Sequence, residues 1–195
     1  MTEMIDFGAQ TRLVSRIAEH TAEGQLQAPT PCEEYAVRHL LGHLVGLAAA
    51  FQDVARKELG PTTGTSPDAF RPDVGPDWRA ELDRNLVGMA EAWRAPEAWQ
   101  GETQAGGVPL PGALAGRIAL NELVVHGWDL ARATGQDYAP DPDSLGVSYG
   151  LLSSWAEGET GPLFGAVVAV PGDAPLLDKV VALSGRRPDW TPPGS

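Results

Sequence analysis

Apolar residues recur near the 3.6-residue period of an α-helix along most of the chain. Glycine and proline interrupt the pattern between the periodic segments, and at most a short extended piece fits within residues 97–112. Residues 164–170 form a short β-prone run. The pattern therefore favours a mainly all-α fold. Helices are predicted over about residues 3–22, 31–59, 78–94, 113–134, 141–157 and 174–184.

Local signals mark several helix ends. Thr30, Pro31 and Glu33 match a capping box with proline at the first helical position, which predicts that the second helix begins there. The fourth predicted helix closes at Gly135, a typical C-cap glycine. Gly127 lies inside that helix, where glycine costs roughly 1 kcal/mol relative to alanine. We therefore expect Gly127 to pack closely against another backbone.

The longest predicted loop covers residues 60–77 and carries Phe70 and Arg71 as its only large side chains. Long loops in compact domains are usually functional or disordered. Two interpretations follow, a loop over a pocket and a solvated surface loop, and we favour the second. Trp93 and Trp99 are expected in the core rather than in a pocket wall.

Composition narrows the classes of function. The 195 residues carry a formal net charge of −12, which opposes binding to nucleic-acid phosphates. No apolar run approaches the ~20 residues of a membrane span, and no basic and apolar leader is evident. We therefore expect a soluble, cytoplasmic protein with no nucleic-acid or membrane partner. The single cysteine, Cys32, excludes a disulfide framework, so a bound metal would have histidine and carboxylate ligands.

The candidate chemistry centres on the segment NELVVHGWDLARATG, residues 121–135. Glu122 and His126 stand four apart on a predicted helix, so both project from one face with Cβ atoms about 5–6 Å apart. Imidazole and carboxylate are typical ligands of zinc, nickel, iron and manganese. A third ligand must come from elsewhere. His39 and His43, in RHLLGHL, are both candidates, and spacing alone does not choose between them.

Glu122 also has an explanation without a metal. Its helix face is flanked by apolar residues such as Ile118, where an ionised carboxylate is costly without a partner. A bound cation is one such partner. A buried ion pair with Arg117 or Arg132 is the competing one.

Three segments of the chain resemble one family. The runs TPCEEYAVRHLLGHLVG, NELVVHGWDLARATG and LSGRRPDW are similar to segments of DinB-like bundle proteins related to mycothiol-dependent maleylpyruvate isomerase. The resemblance implies a DinB-like four-helix bundle, and the β-prone run at residues 164–170 followed by the helix at 174–184 predicts a short C-terminal α/β tail. The resemblance implies a metal-binding bundle over residues 1–160 and a C-terminal extension, residues 161–195, packed on it. It also implies that His43, Glu122 and His126 hold a divalent metal, with His39 behind this ligand set or at the surface.

The same resemblance implies a function. Zinc or nickel is the favoured metal, iron and manganese are alternatives, and mycothiol is the implied thiol cofactor. Our first hypothesis is a transferase or isomerase in which the metal stabilises a thiolate that attacks a small electrophilic substrate. The isomerases of the family carry a further C-terminal domain, whereas a short tail follows Gly161 here, so isomerase activity itself does not follow. The second hypothesis is a non-catalytic metal-binding or stress-associated module, and the family also suggests a homodimer.

Two more residues have competing interpretations. Asp129, one turn beyond His126, either orients a ligand imidazole or is an exposed helix acid, and the exposed acid is favoured. Cys32, beside Pro31 at the predicted helix start, is either a nucleophile with a lowered pKa or a small packing residue. We favour packing.

Overall fold

The structure is a computed structural model that describes residues 4–66, 71–156 and 165–193. Phe70 of the long loop and Phe164 of the β-prone run lie outside these residues. Two strands, β1 (Glu102–Ala105) and β2 (Val108–Pro111), pair as an antiparallel hairpin. The described residues also form seven α-helices: α1 (Gly8–Glu19), α2 (Val37–Arg56), α3 (Pro61–Gly64), α4 (Trp78–Ala92), α5 (Gly112–Thr134), α6 (Pro142–Ala156) and α7 (Leu176–Leu183).

Four of these helices form the predicted bundle. α1 and α2 each pack against α4 and α5, so α5 has α1 on one side and α2 on another. α6 packs on α5, and α7 packs on α6. Since α5 is covered from several directions, its buried residues lie all around the helix rather than on one stripe. This arrangement confirms the mainly all-α fold and makes α5 its central element.

The start of α2 differs from the prediction. The hydroxyl of Thr30 contacts the carbonyl oxygens of Cys32 and Tyr35, at 3.0 and 2.7 Å, and so closes a turn instead of capping a helix. α2 begins six residues later than Pro31, at Val37. The first turn is capped by His39, whose Nδ1 accepts a hydrogen bond from the backbone N–H of Ala36 at 3.2 Å.

The predicted end of α2 at Gly60 and Pro61 is also wrong. The helix ends at Arg56 because Lys57 takes the left-handed conformation, with φ 59°. The Lys57 ammonium donates to the carbonyl oxygen of Gln100 at 2.6 Å, which holds this end of the helix against the segment before the hairpin.

The segment 97–112 is more regular than expected. Gly106 and Gly107 have φ of 59° and 80°, the pair of positive values that a tight hairpin turn requires. The hydroxyl of Thr103 donates to the carbonyl oxygen of Val54 at 2.8 Å and ties the hairpin to α2. Two strands therefore form where the sequence predicted at most one extended piece.

The two tryptophans are core residues, as expected. The ring of Trp93 stacks on Phe7 with centroids 5.5 Å apart, and Trp99 meets Trp93 edge-on at 5.1 Å. Both indole N–H groups donate to backbone carbonyl oxygens, Trp93 to Phe51 at 3.1 Å and Trp99 to Trp93 at 2.8 Å. Neither ring is free to line a ligand pocket.

Gly127 packs closely, although against side chains rather than the backbone we predicted. A Cβ atom there would lie 2.9 Å from the Tyr138 oxygen and 3.1 Å from a methyl group of Val14. The Tyr138 hydroxyl donates to the carbonyl oxygen of Val124 at 2.7 Å and accepts from the amide of Gln10 at 2.7 Å. The same amide donates to the carbonyl oxygen of Leu123 at 3.0 Å. These hydrogen bonds attach α5 to α1 through Gln10 and to the segment after α5 through Tyr138.

The predicted loop 60–77 contains one short helix, α3, that the sequence did not indicate. Arg71 donates to the carbonyl oxygen of Glu34, and Asp73 pairs with Arg38 of α2, so residues 71–74 are held against their neighbours while the side chains of Arg71 and Asp73 stay exposed. The backbone of Asp73 lies against Gly42, where a Cβ atom would come within 2.6 Å of it.

In the C-terminal part, the described residues 165–170 form no strand, which corrects the predicted α/β character of the tail. α7 forms close to the predicted helix. Among the described helices, none is long and apolar enough to cross a lipid bilayer.

Candidate metal centre

Helices α2 and α5 bring together the three residues that the family resemblance implied as ligands. The Nε2 atom of His43 lies 3.4 Å from Oε2 of Glu122, and Nε2 of His126 lies 3.2 Å from the same oxygen. The two imidazole rings meet edge-on with centroids 4.8 Å apart. One potential ligand atom from each of the three residues lies within 4.8 Å of the other two.

These separations suit a small divalent cation. Two donors about 2.1 Å from a tetrahedrally coordinated zinc ion lie about 3.4 Å apart. The observed contacts of 3.4 and 3.2 Å about Glu122 are close to that separation. The donor set of two imidazoles and one carboxylate also matches the chemistry of zinc, nickel, iron and manganese sites. The residues present therefore fit a metal of this class.

The cluster is close to the surface without being fully exposed. The side chains of His43 and Glu122 are 16% and 15% exposed, whereas that of His126 is 7% exposed. His43 and Glu122 therefore form the more exposed side of the cluster, and His126 forms its more buried side.

The competing explanation of Glu122 finds no support in the described residues. Arg132 turns away to the C-terminal segment, where its guanidinium donates to the carbonyl oxygen of Trp190 at 2.6 Å. Arg117 is exposed and lines a separate cleft with Asp6. In the part of the chain that the structure describes, the side chains paired with the Glu122 carboxylate are those of His43 and His126.

His39 is separate from this cluster. It occupies the first turn of α2, and its Nδ1 is engaged by the backbone N–H of Ala36. The ring of Tyr35 is near both histidines of α2, with its centroid 6.4 Å from that of His39 and 5.8 Å from that of His43. Tyr35 was not singled out in the sequence, and its side chain is a direct neighbour of the candidate ligand His43.

Asp129 is fully buried, so the favoured interpretation of an exposed acid is wrong. Its Oδ2 lies 3.0 Å from Nδ1 of His126, on the ring edge opposite Glu122. The guanidinium of Arg186 contacts both oxygens of this carboxylate, Nη2 to Oδ2 at 3.0 Å and Nε to Oδ1 at 3.3 Å. The His126 imidazole therefore donates from Nδ1 to Asp129 and directs Nε2 towards the cluster.

In the cluster, burial and these hydrogen bonds act in opposite directions on the pKa values of His126 and Glu122. Burial disfavours the charged form of His126, but its hydrogen bonds to Asp129 and Glu122 outweigh burial and raise its pKa to about 9. Burial also opposes ionisation of Glu122, yet the hydrogen bonds with His126 and His43 hold the pKa of this carboxyl well below its usual range. Without a metal, a proton on His126 therefore occupies the place that a cation would take.

Cys32 lies five residues before α2 and so does not sit at a helix N-terminus. Burial raises the pKa of its thiol to about 11, with the Asp129 carboxylate adding to the shift and Arg186 opposing it. These surroundings favour the thiol over the nucleophilic thiolate.

We expect Cys32 to react slowly with iodoacetamide at pH 7–8 and to accelerate only as the pH approaches its raised pKa. The denatured chain, in which the thiol regains an ordinary pKa, is the control. Cys32→Ala should retain metal content and thiol-transfer activity. Loss of all turnover with the metal still bound would instead identify Cys32 as a nucleophile.

The sequence of this chain matches a protein family and is similar to individual known proteins. Residues 7–131 match the family described as the mycothiol maleylpyruvate isomerase N-terminal domain. Two uncharacterized proteins of Mycobacterium tuberculosis, one from each of two strains, are 27% identical to this chain over 183 residues. The alignment covers 91% of this chain and 93% of each relative.

Solved structures of one enzyme share the fold of this chain. A crystal structure of mycothiol-dependent maleylpyruvate isomerase superposes with a TM-score of 0.64 at 18% identity, covering 94% of this chain and 88% of that one. A variant of that enzyme with one histidine replaced by alanine gives a TM-score of 0.67, again at 18% identity, with 92% and 86% covered. At this identity the likeness shows the fold.

Proposed function

Because the chain belongs to the family of the mycothiol maleylpyruvate isomerase N-terminal domain, we propose that it binds a divalent metal and uses it to activate a small thiol. The thiol is of the mycothiol type, and the reaction is transfer to, or isomerisation of, a small electrophilic substrate. One observation carries this proposal, the convergence of His43, Glu122 and His126 in a cluster that is partly exposed on the side of His43 and Glu122.

The charge of the donor set supports thiol activation. Two neutral imidazoles and one carboxylate would leave a divalent cation with a net charge of about +1, which favours an anionic ligand. The metal, when bound, would stabilise the thiolate over the thiol and so supply the nucleophile at neutral pH. Zinc and nickel are the metals we favour for this site, with iron and manganese as alternatives.

The roles of the protein residues follow from their positions. Glu122 lies between the two histidines and contributes the single negative charge. His126 is oriented from behind by Asp129. His43 and Glu122 line the more exposed side, where the thiol would enter. Three candidate ligands in the described residues, rather than four, are typical of a site that keeps a position for a ligand from solution.

The structural comparison also bears on isomerase activity. The length of this chain predicts only a short tail in place of the C-terminal domain of the isomerases. The superposition, however, covers 88% of the isomerase chain, so the two share most of their length. Chain length is therefore no argument against an isomerisation, and both reaction types stay within the proposal.

The proposal is tested with untagged protein loaded with cobalt(II), which reports its ligands through visible and near-ultraviolet absorption. Addition of mycothiol should produce a thiolate-to-cobalt charge-transfer band and change the d–d bands. The zinc-loaded protein should then accelerate conjugation of mycothiol to electrophiles in a mass-spectrometric screen, and chelation should remove the acceleration. His39→Ala is the matched control and should behave like the wild type.

A cobalt spectrum that mycothiol does not change would contradict thiol activation. If the metal nevertheless binds tightly, that result would favour the second hypothesis, a non-catalytic metal-binding module.

A further inference from the structure

We propose that Arg186, in the segment after α7, is a positioning residue for the candidate metal ligand His126 and acts on it through Asp129. This inference rests on the proposed metal site. It adds to that site a residue 60 positions away from His126 in the sequence and outside the helix bundle.

The contacts form a continuous chain from the C-terminal segment to the cluster. Asp129 is 0% exposed and Arg186 is 8% exposed. Since Nε and Nη2 of the guanidinium engage one carboxylate oxygen each, at 3.3 and 3.0 Å, both the position and the plane of the carboxylate are defined. Oδ2 of the same carboxylate then contacts Nδ1 of His126 at 3.0 Å. The remaining arm of the guanidinium, Nη1, donates to the carbonyl oxygen of Ser184 at 2.8 Å.

The backbone places Arg186 by a helix-ending motif. The N–H of Gly185 donates to the carbonyl oxygen of Ala182, and the N–H of Arg186 to that of Val181, each at 3.1 Å. Gly185 has φ 80°, as this type of helix end requires. A Cβ atom at Gly185 would also lie 2.6 Å from the backbone of Gly165. The side chain of Arg186 therefore leaves α7 from a fixed point and reaches α5.

Removal of Arg186 would leave Asp129 as a buried carboxylate without its bidentate partner. An uncompensated charge at such a depth is strongly unfavourable, so the carboxylate would move from the position that the guanidinium defines. This displacement removes a fixed acceptor for Nδ1 of His126 and loosens the orientation of the ring. Loss of a residue that orients a metal ligand typically costs 10–100-fold in metal affinity.

The next residue provides a matched control. Arg187 pairs with Asp189 through the same two nitrogen atoms, Nε and Nη2, at 3.1 and 3.0 Å. This pair is 71% and 72% exposed, whereas Arg186 and Asp129 are buried. Arg187→Gln therefore removes the same charge from the same segment without touching the cluster.

The experiment compares Arg186→Gln and Arg187→Gln with the wild type. Zinc affinity is measured by competition with a chromophoric chelator, and the cobalt(II) d–d spectrum reports ligand geometry in each variant. We expect Arg186→Gln to bind zinc 10–100-fold more weakly with a changed cobalt spectrum. Arg187→Gln should match the wild type in both measurements. A zinc affinity within threefold of wild type and an unchanged spectrum in Arg186→Gln would overturn the assignment, as would an equal loss in Arg187→Gln.

Arg186→Lys keeps the proposal testable if the glutamine variant does not fold. Lysine retains the positive charge but not the two-pronged contact with the carboxylate. Weaker zinc binding with a changed cobalt spectrum in this variant supports a positioning role, and wild-type values in both measurements overturn it. Failure of the proposed function looks different, because the wild-type protein itself would then bind no zinc, or would bind the metal without a change of its cobalt spectrum on addition of mycothiol.

Discussion

Replacement of either His43 or His126 by alanine is expected to abolish stoichiometric zinc binding, whereas His39→Ala should retain it. The two former residues meet at Glu122 from different helices, so each contributes an imidazole that the other cannot replace. His39 is instead engaged at the start of α2. Metal content is measured by elemental analysis of untagged protein, because an affinity tag of histidines would bind metal itself.

The same variants should change thermal stability by a large amount. A metal that binds only the folded state stabilises it by about 2.7–4.1 kcal/mol when its free concentration is 100 to 1,000 times Kd. For a chain of this size each kcal/mol shifts Tm by about 2–4 °C, so zinc should raise the wild-type Tm by roughly 5–16 °C. His43→Ala and His126→Ala should show no zinc-dependent shift, each compared with its own chelated form. One tightly bound zinc per chain in His43→Ala, or its loss in His39→Ala, would show that the wrong histidine of α2 has been assigned.

A second large effect is expected from pH. Metal ligands bind in their deprotonated form, and the pKa of His126 is raised to about 9 in the metal-free fold. The groups around this imidazole are Glu122 and Asp129 on its own helix, His43 on α2 and Arg186 after α7. From pH 6 to pH 8 zinc must displace at least one proton, so the apparent affinity should rise about tenfold per pH unit.

The stability of the metal-free protein should fall as the pH rises. A histidine whose folded pKa lies above its ordinary value of 6.5 stabilises the fold below that value and loses this contribution as the pH rises through about 9. The chelated protein should therefore become less stable between pH 6.5 and 9 while the zinc-bound form does not, and the gap in Tm should widen. Calorimetry in buffers of different ionisation enthalpy should detect the released proton. An affinity that stays flat from pH 6 to 8, with no proton released, would contradict this account.

Periodicity and local chemistry were sufficient to predict the helices that matter most. The apolar pattern of α5 and its C-cap at Gly135 predicted a helix within a residue of the observed one. Once α5 is a helix, the four-residue spacing of Glu122 and His126 places them on one face. These predictions depend on contacts between near neighbours in the chain, which is why the sequence alone sufficed for them.

The choice between the two histidines of α2 required more than local signals. A capping box predicted a helix start at Pro31, six residues before the observed start at Val37. With the start misplaced, nothing indicated that His39 lies in the first turn and engages the backbone there. The family resemblance selected His43, whereas spacing left the two equal.

The sequence also did not predict the burial of Asp129, and the reason is a different one. Its partner Arg186 is 57 residues away in the sequence, and no periodic pattern links the two. Within an isolated helix, an acid one turn after a histidine is usually exposed.

The hairpin, by contrast, had a local indication in the sequence. The adjacent glycines at 106 and 107 are typical of a tight turn, but the neighbouring prolines argued against strands.

The contacts of Gln10 and Tyr138 would lower the conformational entropy that is lost when a metal binds at the candidate site. Both side chains bind carbonyl oxygens of α5, those of Leu123 and Val124, in the turn that separates Glu122 from His126. This turn is therefore held in place by α1 and by the segment after α5, whether or not a cation is present. A metal ion bound at the candidate site would therefore meet two donors whose relative position is already fixed. The conformational entropy lost on binding then falls mainly on the side chain of His43, which reaches the site from another helix.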